Sequence, residues 1–307
     1  MNNLLYFKYA VEVERTGSIS RAAENLYMGQ PHLSKAIREL EETFGIAIFN
    51  RTSKGVIPTE RGAEFLGYAK NILREMEAIE SRYKGGGDAG QSFDLTAPRA
   101  SYIAHAFCDF VQTLDPKKRI GINYRETNSA ASIQHVAQSV HNLAVIRYQV
   151  IYEQYFLNAI EERDLRAEQL LEFDHAIVLS EYHPLAGQQK INEAELSEYI
   201  EIVHGDISVP ALPTVEARRL ARDQENKKTI SVYERASQFE LLSSMPYTYM
   251  WVSPVPRDIL TRYGLVQKPC ETPRNRCKDL LISRKSYHFS EEDRRFIEIL
   301  KETTAKL

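Results

Sequence analysis

The chain has 307 residues, 43% of them hydrophobic, which is enough for two or three domains with apolar cores. Its formal net charge of −3 at pH 7 excludes binding of nucleic acid through overall positive charge, so such binding needs locally placed lysines and arginines. The three cysteines (Cys108, Cys270 and Cys277) form no CxxC pair and no zinc-ligand spacing. The N-terminus lacks the apolar core of a secretion signal, and no stretch approaches the length of a membrane span, about 20 apolar residues. We therefore expect a cytoplasmic protein with no membrane partner.

Residues 18–40 predict two short helices around a tight turn. Ser18 or Ser20 can cap the first helix, Gly29 provides the turn, and Pro31 fits the first turn of the second helix. The apolar positions recur at helical spacing and face a common core: Ala22, Ala23, Leu26, Leu33, Ile37 and Leu40. This layout is typical of a helix-turn-helix, whose second helix enters the major groove of DNA. An ordinary amphipathic helix pair has the same spacing, so the pattern alone leaves both interpretations open.

The sequence after the helix pair favours DNA binding. Residues 46–50 predict a strand, and residues 51–58 predict a basic turn and a second strand, which together are typical of a wing beside the second helix. Gln, Ser, Lys and Arg side chains suit base edges and phosphates. The residues expected to contact DNA are Ser20, Gln30, Pro31, His32, Ser34, Lys35, Arg38, Arg51 and Lys54. Those expected at or near bases are Gln30, Pro31, Ser34 and Lys35; those expected at phosphates or in the minor groove are Arg38, Arg51 and Lys54.

Residues 1 to about 90 resemble the winged helix-turn-helix of LysR-type transcriptional regulators. The matching residues are Phe7, Gly17, Ser18, Ala22, Ala23, Leu26, Gln30, Pro31, Leu33, Ser34, Ile37, Leu40, Glu41, Gly45, Phe49, Arg51, Thr59 and Gly62. Two positions depart from the family pattern: Gly29 stands where Ser is usual, and Pro58 where Leu is usual. The first departure removes a side chain that would cap the helix or contact a phosphate. The resemblance implies a sequence-specific regulator with a winged domain over residues 1–58.

A long helix is predicted after the wing, beginning at the N-cap Thr59. Its apolar positions alternate steps of four and three, as in a coiled coil: Phe65, Ala69, Ile72, Met76, Ile79 and Tyr83. Such a seam packs either on the chain's own domain or on a second copy, and the resemblance favours a dimer. A dimer places two recognition helices about one DNA turn apart, so the expected site is an inverted repeat. The glycine-rich residues 84–90 are expected to form a hinge that ends this linker, residues 59–90.

From residue 92 onward, strands alternate with helices in a βαβαβ order that predicts a parallel sheet with helices on its faces. Such sheets bind ligands at the carboxyl ends of their strands. Here these ends are residues 98–102, 127–129 and 147–148, which offer hydroxyls, amide N–H groups and a guanidinium suited to an anionic or polar small molecule. Each also has an ordinary structural explanation, because Ser101 and Ser129 suit N-caps and Arg147 can pair with Glu126 or Glu153.

The second half, with a strand predicted over residues 172–180 and the sequence His183-Pro-Leu-Ala, resembles the second lobe of the LysR-family effector domain. The resemblance implies an α+β multidomain chain that ends in a two-lobed, periplasmic-binding-protein-like α/β domain over residues 91–307. The first lobe is expected at 91–162 and 268–307, and the second at 163–267. The candidate effector-binding residues are Arg99, Ser101, Tyr102, Asn128, Ser129, Arg147, His204, Ser237 and Gln238.

No nucleophile elbow, Walker loop, dinucleotide fingerprint or HExxH sequence is present, so we expect neither catalysis nor a cofactor or catalytic metal. The favoured function is a nucleoid-associated regulator that binds DNA as a dimer or tetramer. A small-molecule effector between the lobes is expected to change DNA bending and the access of RNA polymerase. Two alternatives remain open: a constitutive DNA-bending regulator with no effector, and a cytosolic ligand carrier.

Overall fold

The computed structural model describes residues 3–52, 55–83, 90–204, 228–233, 236–271 and 276–307. It divides into two compact units. The first contains residues 1–91, 116–121 and 135–141, and the second contains the rest. Within the described ranges, no helix is both long enough and apolar enough to cross a membrane.

The N-terminal elements are three helices, a two-stranded hairpin and a long helix. In chain order they are α1 (Asn3–Thr16), α2 (Ile19–Asn25), α3 (Gln30–Phe44), β1 (Phe49–Thr52), β2 (Gly55–Pro58) and α4 (Glu60–Tyr83). Ser18 caps α2, because its side chain accepts a hydrogen bond from the backbone N–H of Arg21. Helix α3 ends at Gly45, whose left-handed backbone (φ 64°) suits a residue without a Cβ atom. Strands β1 and β2 pair antiparallel and form the wing that the sequence predicted.

Helix α4 packs on α1 through one face of its first half. Leu66, Ala69 and Leu73 are buried in the same core as Phe7 and Leu40. Of the predicted coiled-coil seam, Ala69 therefore belongs to the chain's own domain, whereas Ile72 is 43% exposed. The side chains of Ile79 and Tyr83 lie outside the described residues. The first turns of α4 thus pack on the chain's own domain. Packing on a second copy stays a prediction for the rest of the helix.

In the described residues, the second half of the chain forms two five-stranded mixed sheets. The first lobe contains β3 (Gln91–Ala97), α5 (Ser101–Gln112), β4 (Ile120–Glu126), α6 (Ser129–Ala137), β5 (Leu143–Gln149), a 3-10 turn (Val150–Tyr152), α7 (Glu153–Glu161) and β6 (Leu165–Phe173). The second lobe contains β7 (Ala176–Ser180), a 3-10 helix (Glu193–Glu198), β8 (Ile200–His204), β9 (Thr229–Val232), α8 (Ala236–Ser244), β10 (Thr248–Val252), α9 (Arg257–Tyr263) and β11 (Leu265–Lys268). The chain then returns to the first lobe with β12 (Cys277–Arg284) and α10 (Glu291–Ala305).

The strand orders are β4-β3-β5-β12-β6 in the first lobe and β11-β7-β10-β8-β9 in the second. Strand β3 runs parallel to β5, and β8 runs parallel to both β9 and β10. Strand β12 lies antiparallel between β5 and β6. The expected parallel βαβ core is therefore present, but it is extended by antiparallel strands that come from later in the chain.

The crossover between the lobes falls later than the sequence suggested. Strand β6 pairs with β12, so the chain leaves the first sheet between Phe173 and Ala176 rather than near residue 163. The single strand expected over residues 172–180 is accordingly the end of β6 followed by β7. Strand β6 was missed because it is an edge strand whose exposed Glu168 and Gln169 interrupt the apolar pattern.

Candidate DNA-binding surface and ligand cleft

Helix α3 separates its apolar and polar side chains onto opposite faces. Leu33, Ala36, Ile37 and Leu40 are buried against α1 and α2. The exposed side chains are Gln30, Pro31, His32, Lys35 and Arg38, and Ser34 is half-buried. The structure therefore brings together, on one outward face, every α3 residue for which we predicted a DNA contact. Ser20 is also exposed, on the neighbouring helix α2.

The N-terminus of α3 is capped by backbone alone. Gly29 is the N-cap and has an extended backbone (φ −69°), so its conformation does not require glycine. Its carbonyl accepts hydrogen bonds from the N–H groups of His32 and Leu33 at 3.0 and 3.1 Å. A serine here would add the side-chain acceptor that the α3 N-terminus lacks.

Side-chain hydrogen bonds tie α3 and its neighbours together. The carboxylate of Glu12 accepts hydrogen bonds from Arg15 and, at 2.7 Å, from Asn25 Nδ2, which joins α1 to the end of α2. These donors, Arg15 first, lower the pKa of Glu12 to about 2. Near the other end of α3, Glu41 Oε1 accepts hydrogen bonds from the N–H groups of Ile48 and Phe49 at 2.7 and 3.1 Å. The recognition helix is thereby held against the wing strand β1.

The wing itself is described in part. Arg51 lies on β1, opposite Val56 of β2. The side chain of Arg51 and the whole of Lys54 lie outside the described residues, so their DNA contacts remain predictions.

Arg99 links the two lobes of the second unit. It follows β3, and its Nη2 donates a hydrogen bond of 2.8 Å to the carbonyl of Tyr233, just after β9. Its Nε lies 3.8 Å from Glu126 Oε2 at the end of β4. The guanidinium thus lies where the carboxyl ends of strands from both lobes meet, which is where ligands bind in folds of this type.

A cavity of about 290 Å³ lies between α5 of the first lobe and α8 and α9 of the second. Its lining residues are Ser101, Ala104, His105, Cys108, Asp109, Gln112, Phe239, Ile259 and Arg262. The His105 ring nitrogens lie 3.6 Å from carboxylate oxygens on both sides, Asp109 on its own helix and Asp258 on α9. Among the predicted effector residues, Ser101 lines this cavity.

Tyr102 and Arg147, two other predicted effector residues, are engaged inside the first lobe. Arg147 donates two hydrogen bonds to the buried carboxylate of Asp279, at 2.7 and 2.6 Å, and Tyr102 Oη donates a third. Burial and the neighbouring Asp279 carboxylate raise the pKa of Tyr102. Burial acts to lower the pKa of Arg147, but the Asp279 carboxylate outweighs it and the net shift is upward. In the state described, these polar groups bind their own chain, and Asp279 replaces the partners Glu126 and Glu153 that the sequence suggested for Arg147.

The candidate residues of the loop after β4 also have internal partners. The Ser129 hydroxyl donates to the carbonyl of Arg147 at 2.7 Å and accepts from its N–H at 3.0 Å. Asn128 Oδ1 accepts from the N–H of Ala131 at 2.9 Å, so Asn128 rather than Ser129 caps α6. Asn128 is exposed, and Ser129 is half-buried.

In the second lobe, His204 ends β8 beside Val232, which ends the parallel strand β9. Ser237 and Gln238 lie in the first turn of α8; Ser237 is half-buried and Gln238 is buried. His204 thus lies at the carboxyl end of β8, and Tyr233, which Arg99 contacts, directly follows β9. Residues 205–227, which connect the two strands, lie outside the described part of the chain.

Asp279 was not recognised from the sequence. The available signal was a single acidic residue directly before the apolar run Leu280-Leu-Ile282 of the strand. A fully buried carboxylate requires a charged or hydrogen-bonding partner, but the sequence does not say which one.

Comparison with known proteins shows which families and proteins the chain resembles. The family model for bacterial regulatory helix-turn-helix proteins of the lysR family matches residues 4–63. The RuBisCO operon transcriptional regulator of Allochromatium vinosum is 29% identical over 191 residues, which are 61% of this chain and 58% of that protein. The transcriptional regulator BudR of Raoultella terrigena is 26% identical over 212 residues, covering 68% of this chain and 70% of BudR. These relatives are named as transcriptional regulators and not as enzymes.

Solved structures share the fold along nearly the whole chain. ArgP from Mycobacterium tuberculosis has a TM-score of 0.65 at 17% identity, covering 98% of this chain and 97% of ArgP. The LysR family regulator CbnR, in its complex with target DNA, has a TM-score of 0.55 at 14% identity, covering 98% of this chain and 99% of CbnR. The arrangement of a winged helix-turn-helix, a long helix and a two-sheet α/β domain is thus the fold of full-length regulators of this class. Residues 4–63 thus match the lysR-family helix-turn-helix, and the chain shares the fold of full-length LysR-family regulators.

Proposed function

We propose that this chain binds specific DNA sequences through α3 and its wing and thereby regulates transcription. The observation that carries the proposal is the division of α3 into a fully buried apolar face and an outward face bearing Gln30, Lys35 and Arg38. Gln30 and Lys35 supply an amide and a cation for base edges, and Arg38 supplies a cation for phosphates. The lysR-family match covers this helix, and a protein of similar fold, CbnR, is described in complex with its target DNA.

The test compares a base-reading residue with a phosphate-binding one. Duplexes are first enriched by the full-length protein from a random library, and binding is then measured by fluorescence anisotropy over a range of salt concentrations. Gln30→Ala is expected to reduce the preference for the enriched sequence over a random one by about 1–3 kcal/mol. Arg38→Ala is expected to weaken binding to both sequences alike and to reduce the salt slope by about one unit.

Arg163→Ala is the matched control for Arg38→Ala, because Arg163 is also exposed but lies after α7 in the second unit. It is expected to bind DNA like the native protein. Equal effects of Arg38→Ala and Arg163→Ala would rule out α3 as the DNA-binding helix.

We further propose that an anionic small molecule binds between the lobes at Arg99. The Arg99 guanidinium lies between the lobes, where it donates a hydrogen bond to the Tyr233 carbonyl and forms an ion pair with Glu126 at 3.8 Å. A ligand carboxylate forms a shorter, charge-assisted hydrogen bond with a guanidinium than a carbonyl does. A ligand that replaces the Tyr233 carbonyl as the partner of Arg99 would change the contact between the two lobes. Such a change can transmit the presence of the ligand to the rest of the protein.

This second proposal is tested on the full-length chain by screening small carboxylates for a rise in melting temperature. Arg99→Ala is expected to abolish the rise for any stabilising compound, while Arg163→Ala retains it. If no carboxylate stabilises the native protein or alters its DNA binding, the constitutive regulator is the better description. Stabilisation by a carboxylate in a protein that binds no duplex would instead favour the ligand carrier.

We propose that the DNA-binding form is a dimer or a dimer of dimers on an inverted repeat, with residues 1–58, 59–90 and 91–307 as its functional parts. The exposed Ile72 on α4 supports an intermolecular seam, because an isoleucine exposed on a long helix gains stability when a second helix covers it. Ile72→Glu is expected to shift the mass measured by light scattering towards the monomer. An unchanged mass would exclude this face of α4 from the interface. An effector-dependent change in DNA bending, and hence in polymerase access, is the regulatory consequence we propose.

A further inference from the structure

Tyr27, in the turn between α2 and α3, points away from the fold. Its side chain is 97% exposed, the highest exposure of any large apolar or aromatic side chain in the described residues. Its neighbours Leu26 and Met28 pack against the core of the N-terminal unit. The turn therefore buries the residues on either side and presents the tyrosine ring to solvent, three positions before the first residue of α3.

The local structure gives no reason for a tyrosine here. The backbone of Tyr27 is left-handed (φ 51°), a conformation in which Gly and Asn are favoured and bulky side chains are unfavourable. The turn is held by main-chain hydrogen bonds from Tyr27 N–H to Glu24 and from Met28 N–H to Ala23, at 3.1 and 3.0 Å. Neither bond depends on the tyrosine ring. Fold stability would be served as well or better by a smaller residue.

A partner outside the fold explains the tyrosine. In a helix-turn-helix, the first helix crosses the DNA backbone and the N-terminal residues of the second helix contact base edges. The turn between them therefore lies beside the phosphates at the edge of the major groove. Tyrosine hydroxyls are among the groups that contact DNA phosphates.

We propose that the Tyr27 hydroxyl donates a hydrogen bond to a DNA phosphate at the groove edge and so sets the position of α3 on the duplex. The inference rests on the proposed DNA-binding function and adds to it a contact made by a neutral side chain. Because a phosphate contact carries no sequence information, Tyr27 contributes equally to all duplexes. Because tyrosine is uncharged, its contact with a phosphate releases no counterion, so its loss leaves the salt slope unchanged, unlike the loss of Arg38.

The experiment uses two substitutions in the full-length protein. Tyr27→Phe removes only the hydroxyl, and Tyr27→Asn removes the ring and suits the left-handed backbone. Both are expected to weaken binding about tenfold, as for loss of one hydrogen bond to a charged group, on enriched and random duplexes alike. The melting temperature is expected to stay the same for Tyr27→Phe and to stay the same or rise for Tyr27→Asn, which a purely structural role for the ring does not allow.

Tyr182→Phe is the matched control, because Tyr182 is a second strongly exposed tyrosine, 79% exposed, in the second lobe. Native affinity of Tyr27→Phe would overturn the proposal. A loss of affinity for the enriched duplex alone would also overturn it, since the ring would then read a base. A loss of affinity in Tyr27→Asn but not in Tyr27→Phe would overturn it as well, because the hydroxyl would then make no contact. A native protein that binds no duplex would overturn the proposed function itself, and that result is distinct from native binding with an unaffected Tyr27→Phe.

Discussion

The outward face of α3 and the polar cluster inside the first lobe use similar side chains in opposite ways. Gln30, Lys35 and Arg38 project from a helix whose other face is buried. Arg147 and Tyr102 instead converge on one buried carboxylate, that of Asp279. The first arrangement leaves hydrogen-bonding capacity for a partner, and the second uses that capacity to hold strands and a helix of the same lobe together. An arginine near a proposed site therefore informs about function only after its partners are known.

Arg99 and Arg147 give the same lesson within one lobe. Both follow or lie near the carboxyl ends of parallel strands, where ligands bind in such folds. Arg99 reaches across to the second lobe, through the Tyr233 carbonyl, whereas Arg147 donates its hydrogen bonds to Asp279 within the first. We therefore expect substitutions of the Arg147 cluster to affect stability first and substitutions of the exposed groups to affect binding first.

The largest expected effect tests the buried side of this comparison. Asp279→Asn leaves the Arg147 guanidinium buried beside a neutral partner, which typically costs about 3–5 kcal/mol of stability. Urea unfolding of the full-length protein, followed by the fluorescence of the single tryptophan Trp251, measures the change. The double variant Arg147→Met with Asp279→Leu is expected to recover much of the loss, because it removes both charges together.

Asp164→Asn is the control for that experiment. Asp164 forms an exposed ion pair with Lys285, at 2.9 Å, and exposed pairs contribute about 0–1 kcal/mol. If Asp279→Asn loses no more stability than Asp164→Asn, the buried Arg147–Asp279 pair contributes no more to the fold than an exposed ion pair does.

A second buried polar group sharpens the comparison through pH. His183 is 3% exposed, and its Nδ1 accepts a hydrogen bond of 3.0 Å from the N–H of Leu185. Its buried Nε2 has no hydrogen-bond partner among the described residues. Burial lowers the pKa of His183 from 6.5 to about 4, because the charged imidazolium is poorly solvated in this position.

The sign of the pH effect follows from this direction. Between about pH 6.5 and pH 4, His183 binds a proton in the unfolded chain but not in the folded chain. The contribution of His183 to stability is therefore fully present above about pH 6.5 and falls as the pH is lowered towards 4. The loss from this group is expected to reach about 3 kcal/mol at the lower value. His183→Asn keeps an acceptor for Leu185 N–H and removes the titration, so the difference between the two unfolding curves should shrink as the pH falls from 7 to 4.5. A constant difference would show that His183 does not resist protonation.

The contrast also explains how much of the molecule could be predicted from its sequence. Helix spacing and caps are local, so the helix-turn-helix, the wing and the exposed face of α3 were all predictable. The pairing of Arg147 with Asp279 joins residues 132 positions apart, on neighbouring strands whose adjacency depends on the whole sheet. Strand β6 was missed for a related reason, because an edge strand with a polar outer face has no apolar pattern of its own.

The smallest expected effects concern the two caps of the exposed motif. Ser18→Ala removes the acceptor for the N–H of Arg21, and because that hydrogen bond is long, 3.4 Å, we expect a loss near the lower end of the range for N-caps, about 0.5–1 kcal/mol. Gly29→Ser adds the missing acceptor at α3, where a new Cβ atom would meet nothing closer than Pro31 Cδ at 3.8 Å. We expect it to raise stability by about a few tenths of a kcal/mol. Thermal unfolding of the full-length variants, compared in the same buffer, measures both.

These two caps test whether the recognition motif is tuned for folding or for DNA. If Gly29→Ser raises stability and leaves the affinity for the enriched duplex unchanged, the glycine is a stability loss with no binding role. If the serine raises stability but lowers that affinity, the absence of a side chain at Gly29 allows α3 to approach the duplex closely. In that case the N-terminus of α3, like the neighbouring Tyr27, departs from the most stable local choice in favour of the partner. That outcome would extend the contrast with Arg147 and Asp279, whose arrangement favours the fold alone.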